Sequence, residues 1–195
     1  MGTKNFSLDV QRLLALIKNP SAGLALRGAE DFPYGVAGAG LSIIGFFLWV
    51  LSVQHQIDRA MSFFSGIMLG SLYGFGTAFK FLLLALLSLA ALAAALTLVG
   101  NRFGQRKRAW IEVVTHQGAS QLMFGLGYLV SALVAFISLK LSFALTGGLL
   151  LLSLLMLVIQ ALELHEVDRK LTFPTVTSAI VLYVVLFSVV WVILF

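Results

Sequence analysis

Residues 81–99 read FLLLALLSLAALAAALTLV, a run without a single charge in which only Ser88 and Thr97 are polar. A helix that crosses a bilayer needs about 20 mostly apolar residues, whereas a membrane-spanning strand needs only about ten, with apolar and polar positions alternating. The run therefore reads as a transmembrane helix, and a β-barrel is disfavoured. The whole chain agrees: of 195 residues, 60% are hydrophobic and only 11% charged, against roughly 45–50% and about 25% in soluble domains. An ordinary soluble globule is excluded.

Four further apolar blocks flank this one, and the expected spans are 35–53, 80–100, 118–137, 143–162 and 176–195. The fold class expected is an all-α polytopic transmembrane bundle, preceded by an amphipathic segment over residues 1–33. The stretch from Ala60 to Gly100, whose only charge is Lys80, leaves a choice between five spans and six. Lys and Arg close to span ends collect on the cytoplasmic side. Five spans with the N-terminus inside put Lys4, Arg12, Lys18, Arg27, Arg102, Arg106, Lys107, Arg108, Arg169 and Lys170 on one face and leave Arg59, Lys80 and Lys140 towards the other. Six spans would separate Arg102–Arg108 from the N-terminal cations. We read five, in a multi-pass cell-membrane protein with a cytoplasmic N-terminus and an extracytoplasmic C-terminus.

That reading makes residues 61–79 a membrane-associated segment on the outer side. Gly66, Gly70 and Gly74 recur there at i, i+4 and i+8, a bare stripe suited to close helix packing or to a re-entrant element, and compatible with a homodimer. Before the first span, Phe6, Val10, Leu13, Leu14 and Ile17 share one helical face, with Ser7 as the expected N-cap and Pro20 ending the helix. Such a helix either lies in the membrane interface or packs on the ends of the spans.

The segment NRFGQRKRAW, residues 101–110, carries Arg102, Arg106, Lys107 and Arg108 beside Trp110. Clustered cations next to a headgroup-seeking indole fit anionic lipid headgroups or an acidic partner protein. No nucleic-acid-reading motif surrounds them, so nucleic acid is not an expected partner. Within the spans, Gln160 is the polar residue singled out, and Lys80 is a candidate at a span end where it can snorkel. Cysteine is absent, removing disulfides and thiolate chemistry. The run Glu163, His165, Glu166, Asp168 lacks the second histidine of a zinc-binding HExxH, since position 169 is Arg. No metal, cofactor or catalytic residue is expected, and no nucleotide-binding or serine-hydrolase motif occurs.

The layout from about Leu13 onwards, with LIKNP before the first span and NRFGQRKRAWIEVV leading into GLGYLVSALVAF, resembles the bacterial branch of the Yip1-like family of five-span membrane proteins, through Asn19, Pro20, Gly104, Gly118 and Gly127. The resemblance implies five spans and an inside N-terminus. The DLYGP-like motif through which eukaryotic members contact GTPases is missing, as is the zinc ribbon of some bacterial relatives. The expected function is thus non-enzymatic organisation of lipids or partner proteins. Alternatives are a small transporter or channel component, and, more remotely, an enzyme acting on lipid headgroups.

Overall fold

In a computed structural model, residues 8–65 and 75–195 are described. They form six α-helices: α1 (Val10–Lys18), α2 (Phe32–Ser65), α3 (Phe75–Phe103), α4 (Trp110–Ala135), α5 (Leu139–Leu164) and α6 (Thr172–Leu194), with 3-10 turns at Pro20–Ala25 and Arg169–Leu171. No strand occurs among the described residues. Five helices, α2 to α6, are long and apolar enough to cross a membrane. The chain is a multi-pass helical membrane protein. Gly66, Gly70 and Gly74 lie outside the described residues, as do Ser7 and Phe6.

Helix α4 is the centre of the bundle: most of its apolar stretch is buried, whereas almost all of α6 is not. Its closest neighbour is α2, which runs parallel to it. The seam between them is built from glycine. Gly38 and Gly45 on α2 and Gly118 and Gly125 on α4 are each separated by two helical turns, so the two pairs stay in register along the parallel axes. A Cβ on Gly35 would sit 2.6 Å from the Thr115 Cα, one on Gly45 2.5 Å from the Gly125 carbonyl oxygen, and one on Gly38 would overlap the Gly118 carbonyl. Bilayer lipid supplies no hydrophobic drive between helices, so close backbone approach at small residues is what holds such a pair.

Helix α5 returns antiparallel along α4, fixed by the Ser142 hydroxyl, which donates to the Ser131 carbonyl (2.7 Å) and accepts from the Trp49 indole (2.8 Å). Around that junction Trp49, Val50, Val53, Ala132 and Ala135 form an apolar cluster. Helices α3 and α6 make a second antiparallel pair, joined by a 2.7 Å hydrogen bond between Ser88 and Tyr183 and by the Phe81 and Phe195 rings. The pair meets α5 near one end of the bundle, through Leu92, Leu96, Val99, Leu157, Val158, Ala161 and Ala179.

Several element limits differ from expectation. The residues just beyond the expected first span, 54–60, which include His55 and Arg59, continue α2. Helix α3 begins at Phe75, inside the expected outer segment, and α4 begins at Trp110, eight residues before the expected span. The physical reason in α4 is local: its first turns carry His116 and Gln117, which look solvent-exposed in sequence but are buried here under the N-terminal segment and α2. Helix α1 is capped by Asp9, whose side chain accepts from the Gln11 N–H (2.9 Å), in place of the expected Ser7. Its Leu16 is buried with Leu26, Tyr34, Ala119 and Leu122, so one face packs on α4 and α2.

Replacing Gly38 with Ala should destabilise the protein by about 1–3 kcal/mol, the usual cost of overpacking a tight contact. Gly40→Ala and Gly147→Ala, where no atom lies within 4 Å of the new methyl, should be neutral or slightly stabilising. Thermal unfolding in detergent micelles reads both effects, and equal shifts at Gly38 and Gly40 would contradict the seam.

Candidate functional site

The N-terminal segment, the α3–α4 connection and the α5–α6 connection meet at one end of the bundle. Asp31, buried, receives both guanidinium nitrogens of Arg12 (2.7 and 2.8 Å) and the Arg27 N–H (2.7 Å), while the Arg12 guanidinium stacks 5.1 Å from the Tyr34 ring. A bidentate, charge-assisted pair of this kind is among the stronger polar contacts a protein makes. The 3-10 turn is then fastened down by His116, whose Nδ1 donates to the Gly23 carbonyl (2.8 Å), and by Gln160, whose Nε2 donates to the Pro20 carbonyl (3.3 Å).

A second latch joins the two connections. The Arg106 N–H donates to the His165 carbonyl (3.1 Å), and the His165 Nδ1 lies 3.2 Å from the Arg106 carbonyl. Because that carbonyl only accepts, Nδ1 carries the proton and Nε2 is bare, buried and without a partner. The imidazole seats against Gly100 and Gly104, at both of which a Cβ would collide with His165. Arg108 donates through Nε to the Leu164 carbonyl (3.0 Å) and pairs with Glu112 (3.1 Å), and its backbone is bracketed by the Asn101 amide. Helix α5 ends in a Schellman turn: Val167 N–H reaches the Leu162 carbonyl, with Glu166 in the left-handed conformation at φ 52°. Of the acids in this run, Glu166 pairs with Arg106 (3.2 Å) and Asp168 caps Lys170 (3.0 Å), while Glu163 stands in the last turn of α5.

The expected cationic cluster is therefore divided. Arg108 is a structural tie and Arg106 is ion-paired, while Arg102 and Lys107 are exposed and make no ion pair among the described residues. Trp110 is exposed beside them, next to exposed Ile111. Gln160 straps the N-terminal segment and lines neither of the larger cavities; Lys80 lies at the opposite end, its ammonium 5.3 Å from the Phe195 ring.

Among the described residues, two cavities run along α4. The larger, about 370 Å³, is lined by all five long helices. Its polar residues are Gln121, whose Oε1 accepts from Ser42 (3.3 Å) and Ser153 (3.0 Å), the Ser88–Tyr183 pair, and Tyr128. The smaller, about 250 Å³, lies between α2, α3 and α4, bounded by Ala39, Leu86, Ala90, Trp110, Val114 and Gln117. Ile43 and Leu89 border both. Gln117 and Gln121 stand one helical turn apart, both almost wholly buried, and neither Nε2 has a partner; the Gln117 Oε1 has none either. A buried polar group left unpaired costs about 1–3 kcal/mol, so an amide with neither end satisfied calls for an explanation. Both glutamines were overlooked as site candidates in the sequence. Their i, i+4 spacing on an apolar helix was the available signal.

Compared with known protein families, with curated proteins and with solved structures, the chain finds no match.

Burial lowers the pKa of His165; the proximity of Arg108 acts in the same direction, and the bond to the Arg106 carbonyl opposes it. A histidine depressed on folding contributes stability above its unfolded pKa, near 6.5, that is lost as pH falls through the folded value. Thermal stability should therefore drop on acidification below about pH 6.5, and His165→Gln should flatten that dependence. An unchanged slope in the variant would contradict the latch.

Proposed function

We propose that this is a non-enzymatic, Yip1-like integral membrane protein that organises membrane lipids, or a partner protein carrying similar acidic groups, at its basic end. The observation that carries the reading is the pair Arg102 and Lys107, exposed and without ion-pair partners among the described residues, beside exposed Trp110. Cations at the membrane surface attract anionic lipids by about 1 kcal/mol each, and an indole favours the headgroup level. Helix α1 supports the same reading. While Leu16 is buried, Val10 and Leu14 stay uncovered, 67% and 51% exposed, so its outer edge is free to rest on lipid. Most of the basic residues, Arg12, Lys18, Arg27, Arg102, Arg106, Lys107, Arg108, Arg169 and Lys170, belong to the segments gathered at this end. The positive-inside tendency assigns it to the cytoplasm, with the C-terminus outside.

A transporter or channel component is the second reading, favoured by the five-helix cavity and its polar groups. Against it, no ionisable Asp, Glu, His, Lys or Arg lines that cavity, and the apolar layer of Leu92, Leu96, Val99, Leu157 and Val158 packs α3 against α5 towards the basic end.

Reconstituted into vesicles of phosphatidylcholine with or without phosphatidylglycerol, the wild type should enrich the anionic lipid around itself. The double variant Arg102→Ala/Lys107→Ala should lose most of that enrichment, and it should keep its unfolding temperature, since neither side chain holds the fold. Arg108→Ala should instead lower the unfolding temperature. Undiminished enrichment in the double variant would remove the proposed role.

A further inference from the structure

The groove between α2, α3 and α4 combines three features. Its walls are almost entirely apolar, formed by Ala39, Ile43, Leu86, Leu89, Ala90 and Ala93. One side chain, Gln117, presents an amide that is 97% buried and unpartnered at both Nε2 and Oε1, bordering the groove. At the basic end it is bounded by Trp110, adjacent in sequence to the segment holding exposed Lys107. Gln117 follows Trp110 by seven residues, so it lies about 10 Å deeper along the α4 axis. The headgroup region is only about 5–7 Å thick per leaflet, so with Trp110 at headgroup level the Gln117 backbone lies a few Å inside the hydrocarbon, and a helical side chain, which leans back towards the helix N-terminus, brings the amide towards the ester carbonyls of a glycerolipid. Leu86 and Ala90 are exposed on the outer wall, so the groove faces the bilayer laterally.

We propose that this groove binds one glycerophospholipid, with an ester carbonyl accepting a hydrogen bond from the Gln117 amide, the acyl chain between α2 and α3, and the phosphate near Lys107. The ligand class rests on the lipid-organising reading above; the contact to Gln117 does not depend on headgroup charge. A carbonyl satisfies the donor that the protein leaves bare, and an alkyl chain matches the walls. A water molecule would satisfy the amide but leave the apolar walls unoccupied. Ile43 and Leu89, shared with the larger cavity, are the side chains that the end of a long chain would meet.

The test is native mass spectrometry of the full chain, purified in detergent and titrated with palmitoyl-oleoyl phosphatidylglycerol, its diether analogue without ester carbonyls, and palmitoyl-oleoyl phosphatidylcholine. The wild type should retain one diester lipid and hold the diether analogue at least fivefold less tightly. Gln117→Leu, which keeps the volume and removes the amide, should erase the preference for the diester while leaving lipid-free unfolding at or above the wild-type temperature. Ala90→Trp, which fills the groove from its exposed wall, should abolish retention of both. Retention of diester and diether lipid alike by the wild type, or wild-type retention in both variants, would overturn the proposal. Loss of the preference for phosphatidylglycerol over phosphatidylcholine in Arg102→Ala/Lys107→Ala, with diester selectivity intact, supports both the groove and the headgroup reading. Loss of neither in that double variant, with Gln117→Leu defective, supports the groove and removes the headgroup reading alone.

Discussion

Close contact between the backbones of α2 and α4 is the interaction on which the other features of this bundle depend. Gly35, Gly38 and Gly45 meet Gly118 and Gly125 with no side chain between them, which sets the two axes nearer than larger residues would allow. Because the helices run parallel, the seam extends from the basic end inward and fixes the register of everything attached to them. It places Ser42 opposite Gln121, and Tyr34 beside the N-terminal segment. Two parallel helices joined through an intervening antiparallel one leave α3 displaced to the side, where it pairs with α6. The groove and the five-helix cavity are the spaces between these two groups of helices.

The polar groups divide according to whether the fold has used them. At the basic end, Asp31 closes the N-terminal segment on itself, and His116, Gln160, His165 and Arg108 each bond to another segment, tying that segment and two connections into one cap. Within the bundle, Gln117 and Gln121 sit on the same face of α4, one without any partner and one with its carbonyl satisfied and its amino group free. Polar groups in that setting are costly in hydrocarbon and often mark where something binds. The exposed cations Arg102 and Lys107, without ion-pair partners among the described residues, stand apart from both groups.

Hydropathy made the five long helices legible, since an uncharged apolar run of span length has few other outcomes. The helix limits were not, because a helix continues through polar residues whenever a neighbour buries them, as the N-terminal segment does for His116. The four cations between Arg102 and Arg108 look equivalent in sequence; only tertiary contact separates Arg108, tied to Leu164 and Glu112, from Arg102. The glycine stripe singled out at Gly66, Gly70 and Gly74 lies outside the described residues. The α2–α4 seam is built on Gly38/Gly45 and Gly118/Gly125, whose matched spacing is visible in sequence but gains meaning only once two helices are known to run parallel. The i, i+4 spacing of Gln117 and Gln121 marks a polar face on α4, but it does not reveal which hydroxyls face Gln121.

The parallel passage of α2 and α4 across the bilayer is the central claim, and the absence of cysteine in the native chain makes it directly measurable. Single cysteines at positions 27 and 107 mark the starts of these helices, and at 59 and 140 the far ends. Labelling in intact, oriented membranes with an impermeant maleimide should place 27 and 107 on one side and 59 and 140 on the other. Labelling of 59 from the same side as 107 would contradict the account.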